Sequence, residues 1–139
     1  LVRDSAQSAA ITIQDKPFDT WRFANFSNSG LSNPAISSET ADPDGDHLAN
    51  LLEYALALHP KQASISPVTT GQSGGYLTIA SSKNTAATDI SWTAEVTADL
   101  KTWQSLLPTL NTASNFAASD IVRSDEAAQR FIRLKITRP

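Results

Sequence analysis

Residues 42–53 read DPDGDHLANLLE. Counted from Asp42, carboxylates stand at positions one, three and five (Asp42, Asp44, Asp46). An amide follows at nine (Asn50) and a further carboxylate at twelve (Glu53). Charged residues make up only 18% of the chain, yet these are crowded into one short bend. Like charges at such spacing repel, so a cation is expected among them. The donor set is all oxygen, which selects a hard divalent ion over zinc or copper.

Ca²⁺ takes six to eight oxygens at about 2.3–2.6 Å, and ligands at positions 1, 3, 5, 7, 9 and 12 follow the EF-hand schedule. On that schedule the ligands are Asp42, Asp44, Asp46, the backbone carbonyl of Leu48, Asn50 and Glu53. A tight loop turns alternate side chains inward, and the first turn of the following helix brings Glu53 back to the ion. Position six normally holds Gly because the backbone needs a positive φ there; here it is His47, a residue type modestly enriched in left-handed conformations. Gly45 adds freedom at position four. The expectation is a calcium loop of reduced affinity. Magnesium is less well matched, since it keeps several waters. The plain alternative is a solvated acidic turn with Asp42 or Asp46 as a helix cap. A single loop suits a structural clip better than a sensor, because sensor loops work in pairs.

The elements that must position this loop are legible from periodicity. Pro17 opens a helix, PFDTWRFANFS, with Phe18 and Trp21 on one side and Phe23 and Phe26 close by, so this helix must be docked. Residues 29–41 read as a polar connection. A second helix starts near Leu48–Asn50 and runs to about Leu58, with Leu48, Leu51, Leu52, Ala55, Leu56 and Leu58 as its apolar face. From residue 61 the period becomes two, giving strands at 75–82, 89–97, 103–107, 119–123 and 129–137. Ile90, Trp92, Ala94 and Val96 share one face of the second strand. In the last, Ile132, Leu134 and Ile136 face in, while Arg133, Lys135 and Thr137 face out. Residues 8–15, SAAITIQD, also alternate; they either join a later sheet or end a preceding domain. The expected fold class is α+β, a calcium-binding helix–loop–helix packed on a small antiparallel β-sandwich. Its divisions are 1–15, a strand remnant, 16–60, the helical unit, and 61–139, the β-domain.

Composition narrows the function. The 139 residues carry a net charge of −3 and no cysteine. Nucleic-acid binding, disulfides and thiolate chemistry are therefore not expected. No apolar run approaches the length of a membrane span, so no membrane insertion is expected. The opening LVRDSAQ has neither a starting Met nor a leader, and reads as part of a longer chain. His47 and His59 lack convergent partners, GxSxG is absent, and SGG at 73–75 is a turn rather than a phosphate cradle. No catalytic residue is assigned. Trp21 and Trp92 read as core and Trp103 as the start of a strand. Tyr54 and Tyr76 remain as candidates for exposed rings.

The order PFDTWRFANF, ADPDGDHLANLLEYALALHP, WTAEVTADLKTW, RFIRLKIT resembles a C-terminal module of large secreted bacterial proteins. That module has a DPDGDGLSNLLEYALG-like signature, akin to the loops of thrombospondin type 3 repeats and dockerins, followed by a small β-domain. Residues 8–15 are similar to the end of a Calx-beta-like domain. The resemblance implies Ca²⁺ as cofactor, a secreted or cell-surface setting and no catalytic activity. It implies a structural or adhesive role beside upstream domains of the same parent chain, with a cell-surface or glycan ligand as a further partner. The rival readings are a carbohydrate-binding accessory of an extracellular enzyme, dockerin-like docking to a partner protein, and a hydrolase.

Overall fold

The computed structural model describes residues 16–139; the strand expected at 8–15 lies outside them. The class is α+β: short helices precede two antiparallel sheets. Helix α1 (Pro17–Asn25) starts with proline in its first turn and ends where the Phe26 N–H reaches the Arg22 carbonyl. The stretch 29–41, expected to be a plain connection, contains two one-turn helices instead. These are α2 (Asn28–Leu31), capped by the Ser27 hydroxyl, and α3 (Pro34–Ser37), capped by the Asn33 side chain. Helix α4 is shorter than expected, Asn50–Leu56. It stops at Ala57, whose φ of 60° allows the Leu58 and Ala57 N–H groups to reach the carbonyls of Glu53 and Tyr54. This is a Schellman closure without glycine.

The apolar face expected of α4 is only partly its buried face. Leu48, Leu51, Leu52 and Leu58 are half-buried, whereas Asn50, Glu53, Tyr54, Ala55 and Leu56 are buried. Tyr54, a candidate for exposure, is 1% exposed. Its ring packs edge-on to Phe18 at 5.1 Å, and Phe18 stacks on Trp21. Phe26 closes this cluster, but Phe23 points to solvent, contrary to its expected pairing.

The first sheet has the order β1–β2–β6–β5: β1 (Thr69–Ser73), β2 (Tyr76–Ser82), β6 (Asn115–Arg123) and β5 (Pro108–Asn111). The second has the order β4–β3–β7: β4 (Gln104–Leu106), β3 (Ser91–Thr97) and β7 (Phe131–Thr137). Strands β1 and β5 were not expected, β6 begins earlier than foreseen, and Trp103 precedes its strand. Gly74 and Gly75, at φ 59° and 90°, make the two-residue β1–β2 turn. Ile79, Phe116 and Ala118 of the first sheet meet Ala94, Val96 and Leu106 of the second in one cluster. Trp92, Ile132 and Leu134 pack against it. The alternation read for β7 is the one found; in β3 Trp92, Ala94 and Val96 line the core as read, but Glu95 and Thr97 on the other face are buried too.

Helices and sheets are joined by polar ties. The Tyr54 hydroxyl donates to Asp89 Oδ1 at 2.6 Å, while the Phe18 N–H donates to Asp89 Oδ2 at 3.1 Å. Asn84 donates from its side chain to the Tyr54 carbonyl and from its backbone to the Ala55 carbonyl. Burial and the Asp89 carboxylate raise the Tyr54 phenol above its ordinary value, so it stays a donor. Replacing Tyr54 with Phe is expected to cost about 2 kcal/mol, the scale of a bond to a charged acceptor. Urea unfolding of the two proteins measures it.

Candidate metal centre

The acidic bend is built by its own backbone. Asp42 accepts from the N–H of Gly45 (2.8 Å, Oδ1) and of His47 (2.9 Å, Oδ2). Asp44 Oδ1 accepts from the Asp46 N–H, and Asp46 Oδ1 from the Leu48 N–H. These bonds wind the chain so that Asp42, Asp44 and Asp46 each offer a carboxylate oxygen, all within 4.8 Å of one another. Gly45 and His47 both take left-handed backbone, at φ 77° and 73°. His47 therefore adopts the conformation that position six requires, at a cost glycine would not incur.

The helix side of the bend is fixed by carbonyls. Helix α4 has no side-chain cap. Instead the Asn50 N–H donates to the Ala41 carbonyl and the Leu51 N–H to the Glu39 carbonyl, closing the loop at its two ends. The Asn50 amide nitrogen is held by the carbonyls of Ile36 (2.9 Å) and Ser38 (2.8 Å). Both bonds come from nitrogen, so its Oδ1 is left as the free acceptor. Asp46 Oδ2 accepts from the N–H of Ser64 at 2.7 Å, which ties the bend to the segment leading into β1.

Four buried oxygens here receive no hydrogen bond: Asp44 Oδ2, Asn50 Oδ1, and Oε1 and Oε2 of Glu53. Glu53 and Asn50 are both 0% exposed. An unpaired buried carboxylate is strongly unfavourable, and a cation is one of the few partners that relieves it. Burial, then the charges of Asp44, Asp46 and Asp42, push the Glu53 carboxyl up to about 8. Burial also raises Asp44. Burial acts upward on Asp42 too, but the backbone donors around it hold the carboxyl below its usual value.

Of the residues expected from spacing, the structure brings Asp42, Asp44 and Asp46 together and sets Glu53 within reach of their charges. It buries Asn50 with its acceptor free. Leu48 enters the geometry through its N–H, which fixes Asp46. This all-oxygen donor set fits a hard metal ion. Ser64, Ile36 and Ser38 were missed. All three act through backbone atoms, which leave no mark on residue type.

The remaining candidates for chemistry are placed differently. His59 Nδ1 accepts from the Lys61 N–H in a turn. Trp92 packs beside Phe116. The Trp103 ring lies 3.7 Å beneath the Arg133 guanidinium, and Arg123 sits over Tyr76. Among the described residues no helix is long and apolar enough to cross a membrane. Comparisons of the chain with family models, curated proteins and solved structures give no match in any of the three.

Proposed function

We propose that residues 42–53 hold one Ca²⁺ through Asp42, Asp44, Asp46, the Leu48 carbonyl, Asn50 and Glu53. In this reading the ion clips a helix–loop–helix onto a small β-sandwich. The whole is a non-catalytic structural or adhesive module of a larger secreted or cell-surface bacterial protein. The observation that carries the reading is the set of four buried acceptors without donors, on residues at loop positions three, nine and twelve. The Asp46–Ser64 bond and the Tyr54–Asp89 bond suggest what the clip does, since each links the loop or its helix to the β-half. Trp103 and Tyr76 are half-buried and each has a guanidinium over its ring, which does not favour the carbohydrate-binding alternative.

With a Kd of about 0.1 mM and about 1 mM free calcium, binding adds roughly 1.4 kcal/mol. At micromolar calcium it adds almost nothing, which favours an exported setting. The expected result is a melting temperature that rises with calcium, less so with magnesium, and no longer rises in Glu53→Gln. Replacing His47 with Gly is expected to shift the response to lower calcium. A wild-type melt indifferent to millimolar calcium overturns the reading.

A further inference from the structure

Among the described residues β7 is the edge of its sheet, paired with β3 on one side through seven successive residue pairs without a bulge. The other sheet edges are poorer templates: β4 has three residues, β5 contains Pro108 and a register shift, and β1 is exposed at all five positions. A long regular edge accepts another strand unless side chains or a covering segment block it. Beside β7 runs a cleft of about 630 Å³ lined by every residue from Arg133 to Arg138. Inward Leu134 and Ile136 and outward Arg133 and Lys135 all line it, so the cleft follows the edge of the strand and not one face. Its other wall carries Leu51 and Leu52 of α4, both half-buried.

The two cations that would ordinarily guard such an edge lean away from it. Arg133 donates twice to Glu95 Oε1 of β3, at 2.9 and 2.7 Å, and its guanidinium lies 3.7 Å from the Trp103 ring. Trp103 directly precedes β4, which lies beyond β3 from the free edge. Lys135 reaches the same carboxylate, at 3.4 Å from Oε2. Two half-exposed cations therefore share one carboxylate, and the cluster keeps a surplus positive charge on the outward face beside the edge. A second copy of β7 laid against this edge is disfavoured: in antiparallel pairing centred on Leu134, Arg133 stands opposite Lys135, and like charges so placed repel. Charge complementarity calls for acids on the added strand.

We propose that the free edge of β7 is a docking site for an extended segment of a partner polypeptide, added to the sheet as a further strand. Acidic residues of that segment occupy the outward row beside Arg133 and Lys135. Its alternate residues are aliphatic and lie beside Leu134 and Ile136, within reach of Leu51 and Leu52 across the cleft. Main-chain hydrogen bonds to β7 supply affinity, and the alternation of acid with aliphatic supplies selection. Successive side chains of a strand point to opposite faces, so one short segment satisfies both rows; five residues at about 3.3 Å span about 17 Å, the length of the stretch from Arg133 to Thr137.

The test uses the full 139-residue chain and two labelled, end-blocked heptapeptides, Thr-Val-Glu-Val-Glu-Val-Thr and Thr-Val-Lys-Val-Lys-Val-Thr. The glutamate peptide is expected to bind, seen as a rise in its fluorescence anisotropy. It is also expected to slow amide hydrogen exchange within Phe131–Thr137 about tenfold, with β1 and β5 unchanged. The lysine peptide is expected to bind about tenfold more weakly. Lys135→Glu is expected to weaken the glutamate peptide about fivefold and to strengthen the lysine peptide, a reversal that loss of folding does not produce. No anisotropy change with the glutamate peptide at about 1 mM, where even weak docking registers, overturns the proposal. So does equal binding of the two peptides, or protection that appears on another edge. So, too, does a β7 already slow to exchange before peptide is added: protection that survives dilution would assign the cover to this chain itself, and protection lost on dilution to a second copy.

Discussion

Replacing Arg130 with Met is expected to destabilise the protein by about 3–5 kcal/mol, the range for removing one partner of a buried ion pair. Asp120 lies on the inner face of β6 with its side chain fully covered, and Arg130 is 10% exposed. The guanidinium meets it with two bonds, Nε to Oδ2 at 2.8 Å and a terminal nitrogen to Oδ1 at 2.6 Å. The N–H groups of Ile121 and Val122 also point at Oδ1. Burial pushes the Asp120 carboxyl upward, but the guanidinium and these donors outweigh it and leave the group below its ordinary 3.8. Its stabilising share is therefore present at neutral pH and is lost as pH falls through the folded value, below about 3.8. Without Arg130 the buried carboxylate keeps only the two backbone donors on Oδ1 and loses its counter-charge. Urea unfolding at pH 7 should give the full loss, and the gap between the proteins should narrow in strong acid. Adding Asp120→Leu to the Arg130→Met variant should recover part of the loss, because no unpaired charge then remains. If the double variant is no more stable than the single one, the cost lies in packing and not in the stranded charge.

The pair was invisible from spacing because Asp120 lies in β6 and Arg130 in the segment just before β7, so no local period links them. What was legible had a local cause. The aspartate cluster follows from side chains alternating along a few residues, so Asp42, Asp44 and Asp46 were read together, as the structure has them. The inward rows of β3 and β7 follow from the two-residue period of a strand. Strand β1, TTGQS, escaped because all five residues are exposed and none is strongly apolar; it is held by pairing with β2 alone. Helices α2 and α3 are one turn each, too short for a period. Their caps, Ser27 and Asn33 with Pro34, were the signal that periodicity overlooked.

Tyr54 shows a different failure. It follows Glu53 directly in sequence, about a quarter turn round the helix, yet both are buried, one toward the acidic bend and one toward Phe18 and Asp89. The buried side of α4 is set by a charged site and a polar tie, so leucine spacing misplaced it. The same feature explains why Leu51 and Leu52 are left lining the cleft beside β7.

Without calcium, stability should fall as pH rises from 5 to 8, opposite in sense to the loss in acid that Asp120 brings. Glu53 ionises near 4.5 when unfolded but only near 8 in the folded, metal-free bend. Between those values the unfolded chain has released the proton and the folded chain still holds it. The unfolded state then binds fewer protons, so each rise in pH favours unfolding. Over the whole window the effect is about 3–5 kcal/mol, since each unit of separation is worth about 1.4 kcal/mol. On the proposed reading calcium is expected to reverse the preference, because an ion among Asp42, Asp44 and Asp46 would favour the charged form of Glu53. Melts in chelator at pH 5, 6, 7 and 8 should therefore step downward, and melts in saturating calcium should stay level or rise. Glu53→Gln removes the titrating group at nearly constant shape, so its chelator series should be flat across the same range. A wild-type chelator series as flat as that of Glu53→Gln would mean that the four acceptors are reached by solvent, and the bend would lose its claim to be a preformed cation site.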